Sequence, residues 1–121
     1  MATLLVNSGK AVVTNRIQGS GTAPQYVAWG TGAGTTAATD TTLFTETGTR
    51  TSGTMSQQTT SVTNDTYQVV GTMTAGSTLA ITNAGLFDAS TSGNLFVKGD
   101  FSTVNLNTGD SIQFTFKTQF S

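Results

Sequence analysis

Side chains that do chemistry near neutral pH are scarce in this sequence. It has no histidine and no cysteine. That removes the Ser-His-Asp and Cys-His arrangements, the histidine general base and the usual zinc ligand sets. Carboxylates remain. Asp65, Asp88, Asp100 and Asp110 lie in short stretches with Asn, Gly or Ser, where an Asp side chain hydrogen-bonds the backbone of its own turn. They are therefore expected to hold turns. A calcium site built from two of them would be marked by the alternating Asp/Asn loop of dedicated sites, and none of the four shows it. No catalytic, metal or cofactor-binding residue is assigned, and no enzymatic activity or cofactor is expected.

Three further patterns touch on ligands. Gly30-Thr31-Gly32-Ala33-Gly34 resembles a phosphate-cradling loop only in its glycines. No Lys follows it and no helix pattern opens after it, so a flexible linker or turn is expected. Asn64-Asp65-Thr66 matches a glycosylation acceptor, a short signal with little specificity. Trp29, Tyr26 and Tyr67 are the aromatics that would serve a carbohydrate-binding module, provided that their rings are exposed. Five basic residues scattered along the chain make no patch for nucleic acid.

These residues must be positioned by a chain of unusual composition. Charged residues make up 9%, against roughly 25% in an average domain. Hydrophobic residues make up 36% and the net charge is −1, so the high charge typical of disordered chains is missing. Threonine, serine, glycine and asparagine take its place. Threonine's branched, hydroxylated side chain suits a half-exposed pleated surface. With one proline, Pro24, and few charges, sheet edges are poorly guarded against pairing, and neighbouring subunits are expected to cover them. Residues 1–18 lack the pattern of a signal peptide, and no apolar run has the length of a membrane span. Synthesis in a host cytoplasm and no membrane partner are expected.

The spacing of Ala11, Val12, Val13, Arg16 and Ile17 leaves an apolar stripe that predicts a short helix capped by Ser8 and ending near Gly19; the alternative is a strand, because Val12, Val13 and Thr14 are β-branched. Strands are predicted at Gln25–Trp29, within Ser52–Thr63, from Tyr67, over Leu79–Phe87, at Leu95–Lys98 and at Phe101–Leu106. A single helical turn is expected from Asp40 through Phe44, with Glu46 and Arg50 close enough to pair. After the turn residues Asn107–Asp110, Ile112, Phe114, Phe116 and Phe120 share one parity. Burying those four offers roughly 6–12 kcal/mol before entropy, so truncation there is expected to unfold the protein. The whole predicts an all-β fold, a β-sandwich or jelly roll of short antiparallel strands. Residues 1–121 are expected to form one such domain, with 1–18 a helix or N-terminal arm.

The runs Tyr26–Gly32, Val62–Val69, Ile81–Asp88 and Gly109–Phe114 resemble small virion proteins of tailed bacteriophages. Ala84-Gly85-Leu86-Phe87-Asp88 also resembles a β-hairpin stretch of phage tail-fibre and collar proteins. The resemblance implies a particle component. Its first reading is a capsid decoration (cement) protein on the outer head surface, which holds major capsid protein subunits together and itself forms a homo-dimer or homo-trimer. Its alternative is a tail, collar or fibre component. Residues 1–18 are the candidate for reaching a neighbour, if they do not pack on the sandwich.

Overall fold

The computed structural model describes residues 3–121. The elements run β1 (Thr3–Leu5), α1 (Asn7–Ile17), β2 (Tyr26–Gly30), β3 (Glu46–Ser52), β4 (Thr54–Gln58), β5 (Thr66–Thr74), β6 (Leu79–Phe87), β7 (Leu95–Leu106) and β8 (Ser111–Gln119). They build two antiparallel sheets. The larger has the order β1-β7-β6-β2-β3 and the smaller β4-β5-β8. This is the all-β sandwich expected, divided five strands against three.

The period-two pattern decides which side chains lie between the sheets. Val27 and Trp29 from β2, Val69 and Met73 from β5, Ile81, Ala84 and Leu86 from β6, and Phe96 and Val97 from β7 form the main core. Tyr26 and Ala28 point to the opposite face of the large sheet, where they join Val6, Leu43, Phe87 and Leu95 in a second cluster. The large sheet is therefore buried on both faces. Edge-on ring contacts lock the main core: Trp29 against Phe114 at 6.4 Å and Tyr67 against Phe96 at 5.9 Å between centroids, a favoured geometry for aromatic pairs.

The expected helix is present, but Ser8 does not cap it. The residue before α1 is Val6, and no side chain caps the first turn; the Ser8 hydroxyl instead donates to the Leu95 carbonyl at 2.7 Å. Tertiary packing holds the helix where a cap would otherwise help. Val6 and Val12 are buried, and Gly9 lies so close to β7 that a Cβ there would sit 2.1 Å from the Phe96 carbonyl oxygen. Only glycine lets the helix approach that strand.

Three local expectations are corrected, and one is met on an unexpected strand. Asp40–Phe44 forms no helical turn, because the Asp40 carboxylate is used by Ala37 and Lys98. Glu46–Ser52 is a strand; Glu46 and Arg50 do pair, but across the bulged stretch of β3. Leu95–Leu106 is one strand, since Gly99 and Asp100 pair with Ala84 and Asn83 and ladder bonds override the Gly-Asp turn preference. Phe120 lies beyond β8 and is 47% exposed, while Ile112, Phe114 and Phe116 are half-buried. The burial offered by that segment is thus smaller than its alternation suggests, and truncation after Gln119 removes little core.

Candidate functional site

Three of the four carboxylates singled out in the sequence, Asp65, Asp88 and Asp110, close their own turns, whereas Asp100 lies inside β7 and holds no turn. Asp65 accepts from the backbone N–H groups of Thr60, Ser61 and Val62 at 2.8–3.0 Å, and from the Gln119 amide at 3.2 Å. The backbone N–H groups of Val62, Thr60 and Ser61, with the Thr66 hydroxyl, hold its carboxyl well below the usual carboxylate range. Asp88 accepts from the backbone N–H of Asn94 at 2.6 Å and from its side-chain amide at 3.0 Å. Asp110 accepts from Asn107 N–H at 2.8 Å, in a turn where Gly109 takes φ +91°. Asp100 accepts from Thr36 N–H at 3.1 Å. The structure does not bring these residues together. Among the described residues no group of three or more His, Cys, Asp or Glu could hold a metal ion.

The glycine run is neither a phosphate cradle nor a flexible linker. Its amides are already used: Thr31 N–H donates to Thr45 O at 3.1 Å and Gly32 N–H to Phe44 O at 2.9 Å. A Cβ on Gly34 would fall 2.6 Å from the Phe44 ring, so glycine here permits close stacking. Residues 31–45 form a strap across the outer face of the large sheet, and polar side chains of that sheet fasten it. Asn83, fully buried, accepts from Phe44 N–H at 3.0 Å and donates to Phe44 O at 3.1 Å, in the manner of a neighbouring strand. The Thr82 hydroxyl donates to the Gly32 carbonyl.

The strongest fastening is a cation that sequence reasoning passed over. Lys98 lies within the apolar stretch Leu95-Phe96-Val97-Lys98 and is fully buried. Its Nζ donates to Asp40 at 2.8 Å and to the Thr42 carbonyl at 2.9 Å, and sits 3.3 Å from the Phe44 ring centroid. A buried ammonium is tolerated only with such partners. The hydrogen bond from Lys98, then that from Ala37 N–H, lowers the Asp40 pKa from its ordinary 3.8. The available signal was a lone Lys following three apolar residues of a strand, with Asp100 the only other charged residue between Asp88 and Asp110. Arg50 makes a second clamp: it pairs with Glu46 at 2.8 Å, donates to the carbonyls of Ala89 and Ser92, and stacks 3.6 Å from the Phe87 ring centroid.

The aromatic set offers no exposed platform. Trp29 is 2% exposed, and the Tyr67 hydroxyl donates to the Pro24 carbonyl at 2.9 Å, with burial pushing its pKa up to about 12. The carbohydrate-binding alternative thereby loses its best residue. What the surface does offer is apolar relief of two kinds. One groove of about 540 Å³ runs between α1 and β4, with exposed Ile17, Met55 and Phe120 on its walls. The other is a recess of about 390 Å³ beside β8, lined by Leu5, Val97, Phe101, Phe114, Phe116 and Thr118 among others.

The geometry is that of a structural module whose polar groups are spent on its own loops. No curated protein and no solved structure shows a significant match to the chain. The family described as podophage GP4 fiber I protein gp80 matches residues 10–119, nearly the whole sandwich from the helix to the end of β8. The chain belongs to the gp80 fiber I family.

Proposed function

We propose that this protein is a non-enzymatic structural component of a podophage particle, placed in its fibre. The observation that carries this reading is the family match across residues 10–119. It favours the tail, collar or fibre alternative over the capsid decoration that stood first on sequence grounds. The physical features agree with a scaffold. The carboxylates at 65, 88 and 110 are engaged in turns, and the strap is fastened by Asn83, Lys98 and Asp100. Such an arrangement suits a structural role, with these carboxylates committed to hydrogen bonds within the fold.

The test is electron microscopy of the purified particle with the sandwich fitted to density, backed by gold-labelled antibody against this chain. Label and density on fibres at the tail are expected. Density spread over the outer shell, in contact with the major capsid protein, would return the chain to the decoration role. Repeated copies around one fibre axis would also reveal whether the chain assembles as a homo-dimer or homo-trimer.

A further inference from the structure

We propose that the free edge of β8 is a docking site for one extended segment of a neighbouring chain, which adds to the small sheet as a fourth strand. Strand β8 pairs with β5 in unbroken register from Ser111 to Gln119, and among the described residues no strand pairs with its other side. An open edge presents a row of backbone donors and acceptors. The usual guards are missing here: the nine residues hold no proline and no register shift, and only Lys117 is charged.

A lined recess lies beside this edge. The large sheet is two strands wider than the small one, and its β7–β1 margin projects beyond β8 as a roof. Under it lies the recess of about 390 Å³, with Leu5, Val97 and Phe101 above and Phe114, Phe116 and Thr118 along its side. The inward side chains Ile112, Phe114 and Phe116 remain half-buried, as expected of a layer that lacks its last member. Strands in a sheet lie roughly 4.8 Å apart, so one added strand fits beneath the roof. A second copy of this protein does not fit as well. Pairing β8 with the β8 of another copy would drive the two projecting β7–β1 margins into the same layer.

The occupant's chemistry follows from the lining. Alternate side chains that enter the recess must be apolar, and those on the outer face polar, as for any strand on a half-buried sheet. An acidic residue on the outer face would meet Lys117, which forms no ion pair among the described residues. Nine residues span about 30 Å, and a strand of that length buries on the order of 1,000 Å² in total, near the lower limit for a specific interface. That is enough for a peptide arm and small for a pair of domains. That the neighbour is another fibre chain rests on the functional reading above; strand addition itself does not.

The experiment uses the full chain and two blocked synthetic nonapeptides of the same composition, valine and threonine with one glutamate. In one the valines and threonines alternate; in the other they come in pairs. Amide hydrogen exchange is followed across the protein. The alternating peptide is expected to slow exchange about tenfold or more in β8, and the paired one to leave it unchanged. T118K, which puts a charge into the recess, should abolish the protection. T72K, on the exposed outer face of β5, should retain it. The proposal is overturned if neither peptide protects β8, or if protection appears only around Ile17, Met55 and Phe120. It is equally overturned if β8 of the protein alone becomes protected as its concentration rises and sedimentation shows a dimer, for then the occupant is a second copy. The peptide comparison on the unaltered chain decides the matter even if T118K fails to fold.

Discussion

The two faces of the large sheet are both buried, and by opposite means. The inner face packs hydrocarbon and rings against the small sheet, with Val27, Trp29, Ile81 and Leu86 as its centre. The outer face is covered by the strap, residues 31–45, which brings only Leu43 as a large buried hydrophobe. Its hold comes from Asn83, Lys98, Asp100 and Thr82 reaching the strap's backbone and Asp40. Apolar packing is non-directional and tolerates repacking. A polar fastening works only while every partner is in place, since an orphaned buried group costs far more than the bond contributed. The inner face should therefore respond to lost volume and the outer face to lost partners.

Mutations can separate these responses. Trp29→Ala removes the largest ring of the inner face and should cost about 3–5 kcal/mol, read as a lower midpoint in urea with the whole protein unfolding together. Asp40→Ala leaves the Lys98 ammonium buried with one carbonyl and a ring. Allowing for the partial exposure of Asp40, it should cost about 2–3 kcal/mol. Lys98→Met is the sharper test: it removes both the charge and its need for a partner, and stability should stay within about 1 kcal/mol of the parent. A large loss from Lys98→Met would mean that the ion pair itself, rather than the avoidance of an orphan, holds the strap. Asn83→Ala unpairs the Phe44 N–H and leaves the Phe44 carbonyl with the Gly32 N–H alone; it should cost about 2 kcal/mol, with exchange rising first in the strap. Glu46→Gln should change stability by less than about 1 kcal/mol, because Arg50 keeps its carbonyl partners and its place on Phe87.

Titration gives the same comparison another edge. The pKa values of Asp40 and Asp65 are lowered in the folded protein. Such groups contribute stability that is present above the unfolded value of 3.8 and lost as pH falls through the folded value. Acid should therefore loosen the strap and the 59–65 turn while the inner face stays packed, which exchange measured below pH 4 would show as early opening at those two places. Tyr67 runs the other way. Burial raises its pKa from 10.0 to about 12, so its contribution is present below pH 10 and declines as pH rises toward 12. Trp29 fluorescence across that range should report a loss of inner-face packing, and Tyr67→Phe should remove this alkaline step.

By itself the sequence determined the class of fold, because strand alternation is a local property: the parities of Val27 and Trp29, of Val69 and Met73, and of Ile112, Phe114 and Phe116 already separate core from surface. It also determined that the carboxylates at 65, 88 and 110 would hold turns, since Asp near Asn, Gly or Ser acts on its own backbone; the same expectation failed at Asp100, which lies in β7 and binds Thr36 of the strap. The Glu46–Arg50 pair was legible from spacing, though not its strand, for the bulge at Gly48 that allows it is set by pairing with β2. Only the tertiary structure decided the rest. A Gly/Thr/Ala run becomes a strap when Asn83 and Lys98, 39 to 58 residues away in the chain, supply partners for its backbone. Leu95–Leu106 becomes one strand when β6 pairs with Gly99 and Asp100 and β1 pairs with Gly99 from the other side. Phe120 stays exposed because it follows the last β5–β8 pair and lies on the wall of the open groove between α1 and β4. Each of these depends on what lies opposite, and contacts distant in sequence leave no periodic mark on it.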